Sequence, residues 1–397
     1  MLNQFCRYLS NGYSFNITKN NSVTVGPCCL YKNKLQFDSN LLRARKLNFE
    51  SITSWTDDCS ICQVLEESGQ QSLRQTGPDW ISDLENSQDP ISLDIQLDNE
   101  CNAACVTCNK YSSSLWEKED LKLHNKKIKI NKDDDVTNKI INRIVDTVSL
   151  EKLKYVKFFG GEPLFTDTHL KFIKHIPHPE QVTLHYTTNG SIYPNDEVLD
   201  TWKKFKVIIF AASLDGIEQQ FDYVRWPLPW SKVSKILIRL RENKDIRNLI
   251  FRVEFTANLL NTYYFDRLEN WIKNNLDTNL SGDKTEINIH LCSGGIWDLE
   301  KMPQNIRELV LKKYSADQII HKLVDNLPPQ TSLNAWKNFV NTWDKQRNNS
   351  WQLAFPDITI ITDSGESADE STGEVSKVTA DVQSSKLKQL LGKIKQT

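Results

Sequence analysis

Between Glu100 and Asn109 the chain reads ECNAACVTCN, which sets Cys101, Cys105 and Cys108 four and three residues apart. Thiolates are soft ligands that suit iron–sulfur clusters, and a cubane cluster usually takes four of them. Three leave one iron open to a small molecule, much as a catalytic zinc keeps one position free. Five of the nine cysteines form an earlier group, Cys6, Cys28, Cys29, Cys59 and Cys62, and Cys292 stands alone as a small buried hydrophobe would. The N-terminus lacks a charged stretch followed by an apolar one, and no apolar run reaches the roughly 18 to 20 residues of a membrane span. The expectation is a soluble, cytoplasmic protein, and in that reducing setting grouped cysteines hold metal or do chemistry.

The elements that must carry these groups are legible in the hydrophobic pattern. Six apolar runs of strand length occur at 91–97, 155–159, 181–187, 206–213, 249–257 and 285–292. Between and after them, residues 136–148, 166–176, 230–243, 263–276 and 332–349 carry apolar side chains at helical spacing. Strands alternating with helices predict parallel pairing through βαβ units, as a partial (β/α)6 TIM-type barrel or an open parallel sheet, with the site at the strands' C-terminal ends. The first ninety residues are turn-rich (SNGYS, KNNS, VGPCC) and predict a small cysteine-rich, metal-dependent module. Residues 362–377 lack aromatics and are acidic, which predicts a disordered linker. In the tail, Leu387, Leu390, Leu391 and Ile394 follow a helical stripe between lysines. The formal charge is −2 with both signs interspersed, so neither nucleic acid nor a membrane surface is an expected partner.

The loop at 98–110 follows the first strand directly, so its thiols belong at the barrel mouth. A CxxxCxxC there resembles the signature of the radical S-adenosylmethionine (radical SAM) superfamily. The resemblance implies a [4Fe–4S] cluster on Cys101, Cys105 and Cys108 whose open iron chelates the methionine end of S-adenosylmethionine. Thr107 stands where relatives often carry an aromatic ring near adenine, which shifts that contact toward the backbone and Val106. The second strand ends in FFGGEPLF: Gly160 and Gly161 allow close backbone approach, Glu162 can accept from an ammonium, and Pro163 fixes the turn. In the family this segment binds the amino group of the methionyl moiety. Ser213, and after it Asp215, stand where a ribose could be held, the family pointing to Ser213 first. Arg225 could pair a cofactor or substrate carboxylate. Asn258 is a further candidate polar contact. In TTNG, Asn189-Gly190 reads as a turn, and His185 and His290 read as packed or hydrogen-bonded strand residues.

Adjacent cysteines diverge, so Cys6, Cys59, Cys62 and one of Cys28 and Cys29 make a four-thiolate set that suits zinc or a [4Fe–4S] cluster. The surrounding stretches resemble the twitch domain, a shortened relative of the SPASM domain, which implies an auxiliary [4Fe–4S] cluster with Cys28 as the fourth ligand. With this resemblance spanning roughly residues 4–350, the expected organisation is an auxiliary-cluster domain at 1–88, a barrel at 89–300, a helical extension at 301–360 and a tail at 361–397. The implied activity is reductive cleavage of S-adenosylmethionine and hydrogen abstraction from a peptide, protein or small-molecule substrate, with a reductant such as flavodoxin or ferredoxin. A metal-stabilised binding module and a two-cluster electron carrier are the rivals.

Overall fold

In a computed structural model the described residues are 6, 8–9, 12–17, 22–40, 42, 48–67, 72–76, 89–123, 134–277, 282, 284–292, 296–325, 327 and 334–359. The acidic linker and the leucine stripe of the tail lie outside them. Nine strands form one sheet in the order β3-β2-β1-β4-β5-β6-β7-β8-β9. The six predicted strands are β4 (Ser92–Gln96), β5 (Tyr155–Phe158), β6 (Thr183–Thr188), β7 (Val207–Ser213), β8 (Leu249–Ala257) and β9 (Glu286–Leu291), each within two residues of its expected bounds. All five neighbouring pairs among them are parallel. Parallel strands in sequence order, joined by right-handed crossovers, collect their helices on one face. The sheet must then curl around its other face, which is the partial-barrel form.

β8 shows how sequence sets the two faces. In LIFRVEFTA, Leu249, Phe251, Val253, Phe255 and Ala257 are buried, while Ile250, Arg252, Glu254 and Thr256 are half-buried. Period-two alternation sends the first set to the helices and the second into the barrel. On the helix side an aromatic belt crosses four strands, with Phe158 against Tyr186 at 5.1 Å, Tyr186 against Trp202 at 5.1 Å and Phe210 against Phe251 at 5.7 Å. Such pairs add about 0.5–1.5 kcal/mol each beyond their burial. The helix Trp230–Glu242 shows the apolar stripe that seats it, burying Trp230, Val233, Ile236, Leu237 and Leu240.

The N-terminal stretch adds three strands: β1 (Gly12–Ile17), β2 (Val23–Gly26) and β3 (Leu35–Gln36). β1 pairs parallel with β4, and β2 and β3 follow antiparallel. Part of the segment that reads as turns is therefore strand, because Tyr13, Phe15 and Ile17 bury an apolar face, Phe15 meeting Phe37 at 5.3 Å. At the other end, helices Gln304–Lys313, Ile319–Asp325, Asn334–Arg347 and Trp351–Ala354 follow the barrel. They are tied to it by Tyr223 donating to Asp344 at 2.9 Å, Gln220 donating to the Ala354 carbonyl at 2.6 Å and an Arg347–Glu119 ion pair at 2.6 Å. Among the described residues no helix is long and apolar enough to cross a membrane.

Candidate active site

The candidate residues of the barrel gather at one edge because each follows the C-terminal end of a parallel strand. The cysteine loop follows β4, Gly160–Pro163 follows β5, Asn189 follows β6, Ser213 ends β7 and Asn258 follows β8.

The loop is fastened from three sides. Toward β5, the amides of Gly161 and Glu162 donate to the carbonyls of Ser112 and Glu100 at 3.0 and 2.7 Å. Gly161 has φ +51°, and a Cβ there would stand 2.4 Å from the Glu100 carbonyl oxygen, so only glycine fits. Toward β6, the Asn189 amide group donates to Asn102 at 2.8 Å, and Asn102 donates to Ser191 at 2.8 Å. Toward β7, the amides of Ala104 and Val106 donate to the carbonyls of Trp226 and Val224 at 2.7 and 2.8 Å. The Trp116 indole closes the far side, donating to the Cys105 carbonyl at 2.7 Å. Sequence reasoning missed Asn102, Ser191 and Trp116 as clamps. TTNG is a visible signal for their partner Asn189, whereas these three pair across distances that no local pattern reports.

Cys101, Cys105 and Cys108 are neighbours on this loop, and burial raises all three thiols. Cys108 is pushed to about 11, Cys105 adding to the burial effect. The Arg225 guanidinium opposes burial at Cys105, approaching its Sγ at 3.7 Å through Nη1. Arg225 is itself held by Asp215 at 2.7 Å, and Asp215 also accepts from the Thr256 amide at 2.8 Å. The arginine and aspartate expected near a carboxylate and a ribose thus pair with each other through Nη2, and the guanidinium's Nη1 faces the loop. Glu162 is fully buried, and its carboxylate accepts from Thr188 at 2.8 Å, the Asn189 amide at 2.6 Å and the Leu164 amide at 3.1 Å. Burial raises its pKa despite those bonds. Ser213 is half-buried at the end of β7. Asn258 is buried; its Oδ1 accepts from the Leu260 and Asn261 amides at 3.0 and 3.2 Å, while Nδ2 has no hydrogen-bond partner.

The second thiol group lies toward the other end of the barrel. β2 runs antiparallel, so Cys28 and Cys29 follow it to the level where the parallel strands begin. Burial pushes Cys6 up to about 11, with Cys62 and Cys59 adding to it. Burial likewise raises Cys28, whose neighbours are Cys29, Asp94 and Cys6. Cys29 diverges as adjacent cysteines do: its amide donates to Asp94 at 2.9 Å, and its thiol faces Asp94 and Lys157 inside the barrel. Cys292, at the end of β9, is buried near Asp298 and Asp215.

Among the described residues no three His, Cys, Asp or Glu side chains converge as they would around one metal ion. Each thiolate of a cubane binds its own iron, so such a site spreads its sulfurs more widely. The donor chemistry of the loop fits that group: one buried and two half-buried thiols, a guanidinium beside the buried one, and glycines that let backbone approach closely. The orphaned Asn258 Nδ2 fits a polar cofactor at the same edge.

Comparison with known proteins bears on the same segment. Curated proteins return no match. Among solved structures, native anSMEcpe with bound AdoMet is 17% identical with a TM-score of 0.38, over 56% of this chain and 59% of that one. Streptococcus suis SuiB bound to precursor peptide SuiA is 13% identical with a TM-score of 0.36, over 87% of this chain and 74% of that one. Likeness at that level decides neither fold nor activity. The family model is the firmer finding, because the Radical SAM superfamily matches residues 95–278, which begin in β4 and take in the cysteine loop, GGEP and β5 to β8. Residues 95–278 of this chain are a radical SAM domain.

Proposed function

We propose that the chain is a radical SAM enzyme that cleaves S-adenosylmethionine reductively and abstracts hydrogen from a peptide, protein or small-molecule substrate. The observation that carries this reading is the three-thiol loop held against GGEP, Asn189 and the 224–226 segment at the mouth of the domain. Cys101, Cys105 and Cys108 would hold a [4Fe–4S] cluster. Gly160, Gly161, Glu162, Pro163, Ser213 and Asn258 would hold S-adenosylmethionine. Such a cluster, reduced by a flavodoxin- or ferredoxin-like donor, supplies the electron that splits the bound sulfonium into methionine and a 5′-deoxyadenosyl radical.

The chain's own contribution is positioning. Arg225, locked by Asp215, keeps a positive charge beside the Cys105 thiolate, and positive charge and hydrogen bonds at cluster sulfurs raise the reduction potential. Asn102, Asn189 and Ser191 fix the loop against β6, and Glu162 draws Thr188 and two backbone amides into one buried set. Cofactor and substrate seated at this edge would exclude water and oxygen, which quench a radical. Cys6, Cys28, Cys59 and Cys62 would hold an auxiliary cluster in the 1–88 domain, toward the opposite end of the barrel. An electron acceptor there makes the net reaction a two-electron oxidation of the substrate.

The test is spectroscopic. Anaerobically reconstituted, dithionite-reduced protein is predicted to give an S = 1/2 signal with one component that changes shape on adding S-adenosylmethionine and is lost in Cys105→Ser, any auxiliary-cluster component remaining. A reducible signal unmoved by the cofactor would contradict the reading.

A further inference from the structure

The concave face of the sheet is unusually rich in charge for a barrel interior. Asp94, Lys157 and His185 are register partners on β4, β5 and β6, and therefore share a face. The face is the inner one, because the alternate residue Phe158 turns outward to meet Phe172 of the helix Thr168–Ile173 at 6.1 Å. Thr187, Arg252 and Glu254 continue the same face one and two steps nearer the mouth. Lys157, Thr187, Arg252 and Glu254 are half-buried, so solvent reaches this chamber.

Most of these groups are already matched within the fold. Glu254 accepts from Asn288 at 3.0 Å and meets His290; Arg252 pairs with Glu286 at 2.9 Å; Asp94 accepts from the Cys29 amide at 2.9 Å. What remains is donors. Lys157 Nζ makes no hydrogen bond among the described residues; burial works against its charge, but Cys29, Asp94 and Glu254 outweigh it and hold the amine protonated. His185 is 5% exposed, its Nδ1 meets the Tyr155 hydroxyl, and its Nε2 has no partner. Burial, with Lys157 adding, keeps the ring neutral, so when Tyr155 donates to Nδ1 the single ring proton stands on Nε2. The Thr187 hydroxyl is buried and likewise unpartnered. A buried donor without an acceptor is costly, and a ligand that supplies acceptors recovers that cost.

We propose that this chamber binds a carboxylate of the substrate, with Lys157, His185 Nε2 and the Thr187 hydroxyl as its donors. The proposal rests on the radical SAM reading for calling the ligand a substrate, and it narrows the class to acids. The carboxylate comes either from a free acid or from an acidic residue of a peptide. A cationic ligand group is disfavoured, because Asp94 and Glu254 already have partners.

The experiment is isothermal titration of the full-length, iron–sulfur-loaded, unreduced protein with succinate, N-acetyl-glutamyl amide and methylammonium at constant ionic strength. Both carboxylates are expected to compete for one site and methylammonium to stay out. Lys157→Met is expected to weaken binding at least tenfold and Thr187→Val severalfold. In protein with 15N-labelled histidine, carboxylate is expected to move the resonances that disappear in His185→Gln, with shifts marking the Nε2–H tautomer. If Lys157→Met does not fold, Thr187→Val and the histidine resonances carry the test. Tenfold tighter binding of the peptide-like probe than of succinate assigns the chamber to an acidic peptide residue, and the reverse assigns it to a free acid. No saturable binding of either acid, equal binding of methylammonium, or unchanged binding in the variants would overturn the proposal. The readout needs neither reductant nor S-adenosylmethionine, so it stands or falls separately from cofactor cleavage.

Discussion

Replacing Asp215 by Asn tests how the charge beside the cysteine loop is held. Asp215 has no exposed side-chain surface, its Oδ2 lies 2.7 Å from Arg225 Nη2, and Arg225 is 12% exposed. The amide is isosteric and can still accept from the Thr256 N–H, now 2.8 Å away, so the change removes charge and little else. Breaking a buried pair by removing one partner strands the other charge and costs about 3–5 kcal/mol. Against a total stability of roughly 5–15 kcal/mol this is a large fraction. At ~2 °C per kcal/mol for a large domain, the melting temperature should fall by about 6–10 °C. Removing both charges in Asp215→Asn/Arg225→Met should recover at least 2 kcal/mol of that loss, since an apolar replacement of a buried pair is often neutral. The assay is calorimetric melting of the metal-free and the iron-loaded protein for wild type, both single variants and the double. A loss under about 1 kcal/mol for Asp215→Asn, or strictly additive effects, would refute the claim that Asp215 is the counter-ion that fixes Arg225.

Three further outcomes are expected. Gly161→Ala forces a positive φ on an L residue, at about 1–2 kcal/mol, and pushes a methyl into the Glu100 carbonyl, so iron bound after reconstitution should drop with helicity retained. Substituting Cys59 and Cys62 together by Ser should lower bound iron from roughly eight to roughly four per chain if an auxiliary cluster is present, whereas Cys292→Ala should leave it unchanged. Glu254 lies in a buried setting that raises its pKa, yet His290 and Asn288 hold it at about 2. A depressed carboxylate stabilises the fold above its unfolded pKa and loses that contribution as pH falls through the folded value. Denaturant titrations should therefore show wild type losing its advantage over Glu254→Gln between about pH 4.5 and 2, and a constant difference across that window would contradict the pairing.

The barrel strands were legible because their two faces differ in polarity, so runs such as Leu249–Ala257 carry period-two alternation that burial reproduces. The N-terminal strands were not. Leu35–Gln36 is two exposed residues, and Gly12–Ile17 is recognisable as a strand only once β4 supplies a parallel edge. At the site, CxxxCxxC and GGEP are contiguous, so their chemistry and spacing are visible in one dimension. The Arg225–Asp215 pair lies within eleven residues, but that the arginine turns toward Cys105, 120 positions away, depends on how the β7 loop folds back over the β4 loop. The inner chamber was legible only at His185, which reads as a packed or hydrogen-bonded strand residue; Lys157 and Thr187 look like ordinary polar positions until the register aligns them.

The central claim is tested most directly by counting a product. Full-length protein reconstituted anaerobically with iron and sulfide, reduced, and given S-adenosylmethionine is predicted to form 5′-deoxyadenosine and methionine, and Cys101→Ala is predicted to form neither. A reconstituted, reducible cluster that yields no 5′-deoxyadenosine would contradict the account.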